Sequence, residues 1–151
     1  MPSDELGDLV ENVEVLRRQL DALHETYGGA LTELAAVDWQ ALGRQGCLAG
    51  TPRLAIERTI EDARNVLNAG REALALVLQQ AADPEMIANP DLDIPGRLRA
   101  VIRLYTDTPN DLRNRCQRLT TWLATISQAQ RQAGEPPLTD RISWPPTVPA
   151  S

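Results

Sequence analysis

The chain of 151 residues has no lysine and no phenylalanine, and it has one histidine and two cysteines. Without lysine it cannot form the Lys-Ser/Thr pair of a phosphate-binding P-loop, a Schiff base or a pyridoxal-phosphate site. All fifteen basic residues are arginines, a bias that favours a GC-rich bacterial or phage genome. Several large classes of enzyme are therefore excluded by composition.

The chemistry available to an active site is also sparse. His24 is the single histidine, and Asp21 lies three residues before it. A di-metal helical bundle needs a second such pair and further inward carboxylates, and a nucleophilic triad needs its histidine beside an activated serine or cysteine. Neither pattern occurs here. We therefore expect a non-enzyme with no catalytic residues, no metal site and no cofactor.

The number of cysteines and the hydropathy of the chain indicate its cellular compartment. Cys47 and Cys116 are far apart and lack a CxxC partner, so we interpret them as free thiols, with a single disulfide as the alternative. The acidic N-terminal residues do not resemble a secretion signal, and no run approaches the roughly 18 apolar residues of a membrane span. These features predict a cytoplasmic protein that does not contact a membrane.

The N-terminal third has the most regular pattern in the sequence. From residue 4 to 36, apolar residues recur at alternating spacings of three and four, the a/d pattern of a coiled coil. Gly28 and Gly29 interrupt the helix-forming composition and predict a bend, with close approach of another backbone as the alternative. The residues predicted to form an interaction seam are Leu6, Leu9, Val13, Leu16, Leu20, Leu23 and Tyr27.

A second long helix is predicted to begin at Thr51-Pro52, after a glycine-containing loop at 38–50. The Asp83-Pro84 pair ends it and can open one short turn, and prolines 90 and 95 predict a non-helical connector. Small residues along its stripe would let the first helix approach in an antiparallel pair. The stripe consists of Ile56, Ile60, Ala63, Leu67, Gly70, Leu74, Val77 and Ala81.

Two further helices are predicted at about 96–105 and 109–133, and Gly134 is expected to end the last one. Five prolines then keep residues 135–151 extended. Ile142 and Trp144 in this tail either pack back on the helices or stay free to contact a partner.

The sequence thus predicts an all-α fold, an elongated antiparallel helical bundle or coiled-coil hairpin of about three long helices plus one or two short ones. The helical domain would span residues 1–134, and a proline-rich extended tail would span 135–151.

Charge is distributed unevenly along this chain of formal net charge −6. Residues 1–38 hold nine acids and two arginines, whereas residues 94–151 hold four acids and eight arginines. This polarity either pairs the two ends or presents two unlike faces to partners. The arginines that could contact nucleic acid or an acidic partner are Arg97, Arg99, Arg103, Arg113, Arg115 and Arg118.

Regular apolar stripes without catalytic chemistry favour a protein that binds other proteins through helix faces and forms a homo-oligomer. Nucleic acid is the alternative partner, because residues 96–118 have the layout of a helix-turn-helix with Asn, Arg and Gln on its second helix. The acidic pI of about 4.8 argues against that alternative.

Overall fold

The computed structural model describes residues 2–44, 53–115, 117–142 and 144. These residues are mostly helical and contain no strand, so the prediction of an all-α fold is confirmed. The α-helices are α1 (Pro2–Ala35), α2 (Trp39–Arg44), α3 (Arg53–Ala81), α4 (Pro84–Ala88), α5 (Ile94–Tyr105), α6 (Thr108–Arg115) and α7 (Gln117–Gln132), followed by a 3-10 turn at Leu138–Asp140.

The sequence predicted a loop at 38–50, but its first part is the helix α2. Trp39 starts this helix, and its indole N–H donates a hydrogen bond to the Leu34 carbonyl at 3.0 Å. The same carbonyl, in the last turn of α1, also accepts a hydrogen bond from Val37 N at 3.3 Å. Leu42, one turn later, is fully buried. These two contacts hold the segment in helical form, whereas residues 45–52, including Cys47 and the predicted Thr51-Pro52 start, lie outside the described residues.

Helix α3 buries the stripe that its sequence indicated. All eight positions of that stripe are the buried positions of the helix. The three- and four-residue spacing keeps them on one face because an α-helix turns once every 3.6 residues.

Helices α1 and α3 run in opposite directions along their contact. A Cβ added to Gly70 would lie 2.9 Å from Leu20 Cδ1, and one added to Gly28 would lie 3.7 Å from the Arg64 side chain. Along this contact the residue numbers therefore increase in α1 while they decrease in α3, so the two helices are antiparallel. At Gly70 the missing side chain leaves the space that Leu20 fills.

Two aspartates begin the helices that follow α3. Asp83 accepts a hydrogen bond from Glu85 N at 2.9 Å, as its place before Pro84 suggested. Asp93 accepts one from Gly96 N at 3.2 Å and adopts the left-handed conformation with φ of 43°. The prediction of a non-helical connector at residues 94–96 is therefore wrong. Pro95 lies in the first turn of α5, where a backbone N–H would have no hydrogen-bond partner within the helix, so proline is tolerated.

Helix α5 lies against both long helices. Its Tyr105 ring would be 3.2 Å from a Cβ at Gly70, and Arg97 Nη1 donates to Gln80 Oε1 at 3.4 Å. Arg99, on another side of α5, pairs with Glu5 of α1. Buried Ile94 and Leu98 face the core between these contacts.

The last helical region begins at Thr108, and Cys116, between α6 and α7, lies outside the described residues. Leu112, Leu119, Leu123 and Ile126 are all buried, and their spacings of seven, four and three residues are those of one helix face. Gly134 adopts φ of 78°, the left-handed conformation that commonly ends a helix.

Two glycine substitutions distinguish a place where space is essential from one where it is not. We expect Gly29→Ala to raise the free energy of unfolding by about 1 kcal/mol, because its Cβ would meet nothing within 4 Å and alanine favours helix. We expect Gly70→Ala to lower it by about 1–2 kcal/mol, because Leu20 and Tyr105 must move. Urea denaturation of both variants tests this, and a stabilising Gly70→Ala would contradict the close packing of the three helices.

Candidate interaction surfaces

The seam predicted on the first helix packs within the chain. Five of its side chains, Val13, Leu16, Leu20, Leu23 and Tyr27, are at most 5% exposed. Leu6 and Leu9 are partly buried and contact the same core. In this structure the seam therefore holds α1 against its own chain, and it is covered in the folded protein.

Part of the arginine-rich segment is already engaged. Arg97 donates to the Leu92 carbonyl at 2.7 Å and to Gln80, and Arg99 pairs with Glu5. Arg103 and Arg118 are exposed. Arg113 and Arg115 lie on α6, and their side chains are outside the described part. Two of the six candidate arginines thus form hydrogen bonds or ion pairs with other residues of the same chain.

Ion pairs join the acidic and basic ends of the chain. Besides Arg99 with Glu5, Arg141 Nη1 lies 3.6 Å from Glu33 Oε2. Both pairs connect α1 with the C-terminal third, which is one of the two arrangements that the uneven charge indicated. Each pair is substantially exposed and contributes little to stability by itself.

The described part of the tail packs back on the helices. The Trp144 ring contacts Tyr27 edge to face, with centroids 5.5 Å apart, and its indole N–H donates to Thr120 Oγ1 at 3.0 Å. Ile142 is also partly buried against the core. Of the two roles considered for Ile142 and Trp144, this structure shows the packed one, while residues 145–151 lie outside the described range.

Two buried polar residues of α7 hold the start of the tail, a role that the sequence did not predict. Gln130 Oε1 accepts a hydrogen bond from Leu138 N at 2.6 Å, and Ser127 Oγ accepts one from Thr139 N at 3.1 Å. The sequence contains a weak indication of this role, because both residues lie on the buried side of α7 among aliphatic residues. A polar side chain at such a position needs a partner, and the tail backbone provides it.

A polar strip lies beside the contact of α1 with α3. Asp21 Oδ1 accepts from Arg71 Nε at 2.5 Å, and Arg71 also donates to Asn68. His24 Nε2 and Arg64 Nε are buried atoms without a hydrogen-bond partner. Burial lowers the pKa of His24, the positive charges of Arg71 and Arg64 lower it further, and Asp21 acts in the opposite direction.

Six large apolar side chains are exposed in the described part of the chain. Helices α3, α4 and α5 carry all of them, although α1 is longer. Three of them lie on α3, two on α4 and one on α5. They are Leu54, Val66, Leu76, Met86, Ile87 and Leu104.

No protein-family model, curated protein or solved structure matches this chain. Among the described helices, none is both long enough and apolar enough to cross a membrane. Within the same ranges, no three side chains of the types that bind metals come together.

The hydrogen bond from the tail to Gln130 can be tested against a neighbour on the same helix. Gln130→Ala leaves the buried Leu138 N–H without its acceptor and should lower the free energy of unfolding by about 1–3 kcal/mol. Gln128→Ala changes an exposed residue of the same type and should have an effect within about 0.5 kcal/mol. Equal effects of the two substitutions in thermal or urea unfolding would contradict the assigned role of Gln130.

The environment of His24 predicts a pH dependence of stability. Because its pKa in the folded chain lies below the ordinary value of 6.5, the unfolded chain takes up this proton first as the pH falls. The contribution of His24 is thus present above pH 6.5 and is lost as the pH falls toward the lowered pKa. Urea unfolding at about pH 7.5 and about pH 5.5 should show a smaller loss for His24→Gln than for the wild-type chain. The same loss in both chains would contradict the lowered pKa.

Proposed function

We propose that this chain is a non-enzymatic helical interaction protein, an adaptor, assembly or regulatory factor that acts through helix faces and associates with itself. The observation that carries the proposal is the set of large apolar side chains that stay exposed on α3, α4 and α5. Burying such side chains against another protein contributes roughly 25 cal/mol for each Å² of apolar surface removed from water. Their exposure in an isolated chain is best explained by a partner.

The packing of the long helices supports an elongated antiparallel hairpin as the scaffold. Helix α1 buries its a/d positions in the core, with Leu20 against Gly70 of α3, and α5 contacts both helices through Tyr105, Arg97 and Arg99. Such a scaffold presents its remaining faces rigidly, because each helix is held along its length. We infer that partners bind those remaining faces, since the seam itself is covered.

A DNA-binding regulator is the alternative, and the exposed Arg103 and Arg118 on α5 and α7 are the observation in its favour. The internal contacts of Arg97 and Arg99 weaken it, because a groove-reading segment keeps its cations free for phosphates. This alternative requires the α5–α6 segment to bind duplex DNA through Arg113 and Arg115.

Sedimentation equilibrium of the purified chain at low and high salt, with and without random duplex DNA, distinguishes these functions. We expect a dimer or larger species that forms without DNA and persists at high salt, since apolar association is not screened. A chain that is monomeric at every concentration would refute self-association. A monomer that shifts only with DNA, and fails to shift after Arg113 and Arg115 are replaced, would support the DNA-binding alternative.

A further inference from the structure

Helix α3 has a second stripe beside its buried one. Val66, Ala69, Ala73 and Leu76 are separated by three, four and three residues and therefore share one face. Val66 is 42% exposed and Leu76 is 55% exposed; Ala69 is exposed and Ala73 is half-buried. The core of this chain leaves most of this second stripe uncovered.

Helix α5 borders this stripe and adds to it. The contact of Gly70 with Tyr105 and that of Gln80 with Arg97 place α5 beside the C-terminal half of α3, with the two helices antiparallel. Leu104 precedes Tyr105 and is 68% exposed, the most exposed apolar side chain of α5. The register of the two helices places it near the middle of the stripe.

The order of residue types along the stripe is nearly the same in both directions. From either end it passes from a polar residue, Asp62 or Gln80, to a branched aliphatic residue and then to an alanine. In an antiparallel pair of identical helices related by a two-fold axis, each residue meets its counterpart from the other half, so aliphatic residues would face aliphatic residues and alanine would face alanine.

We propose that this stripe is a homodimer interface, in which α3 packs antiparallel on α3 of a second copy around a two-fold axis midway between Ala69 and Ala73. This inference rests on the proposed function and names the partner and the surface of its self-association. Val66 then faces Leu76 of the second copy, Ala69 faces its Ala73, and Leu104 of each copy covers the centre.

The alanines suit the centre of such an interface. The distance between two packed helices is 8–10 Å in general and depends on the side chains at the contact. Ala69 and Ala73 permit an approach near the lower limit, which brings Leu104 and Leu76 within reach of the other copy. The larger Val66 and Leu76 then fill the space on either side, away from the axis.

Charge complementarity at the ends of the stripe favours a second copy over another apolar partner. Asp62 is exposed, and its carboxylate has no hydrogen bond or ion pair with any other residue in the described part of the chain. The two-fold arrangement places it opposite Gln80 of the second copy, where Arg97 is held by its hydrogen bond to that glutamine. Two equivalent Asp62–Arg97 pairs would therefore fix the register of the dimer.

Two alanines on α3 provide a matched test. Ala69→Glu places a carboxylate from each copy near the two-fold axis and should raise the dimer Kd by about 100-fold. Ala75→Glu makes the same change off the stripe, in an open groove lined by Arg17, Asp21, Arg71 and Glu72, and should leave the Kd unchanged. Analytical ultracentrifugation of the full chain measures both constants, and circular dichroism verifies that each variant is helical. Leu76→Glu, also at an exposed site, is a second stripe variant in case Ala69→Glu fails to fold.

A charge exchange tests the register separately. Asp62→Arg and Arg97→Asp should each raise the Kd by about 10-fold, and the double variant should recover most of the wild-type affinity because the pair is restored in reverse. No recovery in the double variant would overturn the two-fold register.

The outcomes separate this inference from the proposed function. If the wild-type chain dimerises but Ala69→Glu and Leu76→Glu dimerise equally well, the stripe is not the interface, although self-association stands. If the wild-type chain is a monomer throughout, both the interface and the self-association are refuted.

Discussion

The contact between α1 and α3 is the constraint on which the rest of the structure depends. Leu20 fills the space that Gly70 leaves open, and the same glycine accommodates the Tyr105 ring from α5. Three helices thus meet at a residue with no side chain. A larger residue there would separate the long helices and displace α5. Adding a single methyl group at this position therefore affects both the α1–α3 contact and the α3–α5 contact.

Polar groups then determine which segments attach to this scaffold. The ion pairs of Glu5 with Arg99 and of Glu33 with Arg141 connect α1 to segments far away in sequence. Within the core, Gln130 accepts a hydrogen bond from the tail backbone at Leu138. The exposed pairs add specificity and little energy, whereas the buried hydrogen bond is costly to lose. The tail is consequently positioned by the buried acceptors Gln130 and Ser127 more than by its surface charges.

A helix face that is buried within the chain is not accessible to a partner. An a/d seam in sequence is equally suited to a dimer of long helices and to a hairpin within one chain. Here Val13, Leu16 and Tyr27 are buried inside the chain, so α1 uses its seam within its own fold. The apolar side chains that stay exposed on α3, Val66 and Leu76, lie on a shorter and less regular stripe, which the stronger periodicity of the first helix obscured.

The sequence by itself determined the helices and their buried sides. Spacing alone identified the eight buried positions of α3, and Gly134 indicated the end of α7, because periodicity and backbone conformation are local properties. Local signals failed at Trp39 and Asp93, where a hydrogen bond to Leu34 and a left-handed cap convert predicted loops into helices. Tertiary structure alone decided where Trp144 packs, which arginines are engaged and which apolar residues stay exposed. Those outcomes depend on contacts between residues distant in sequence, and a pattern along one helix carries no information about which neighbour will cover it.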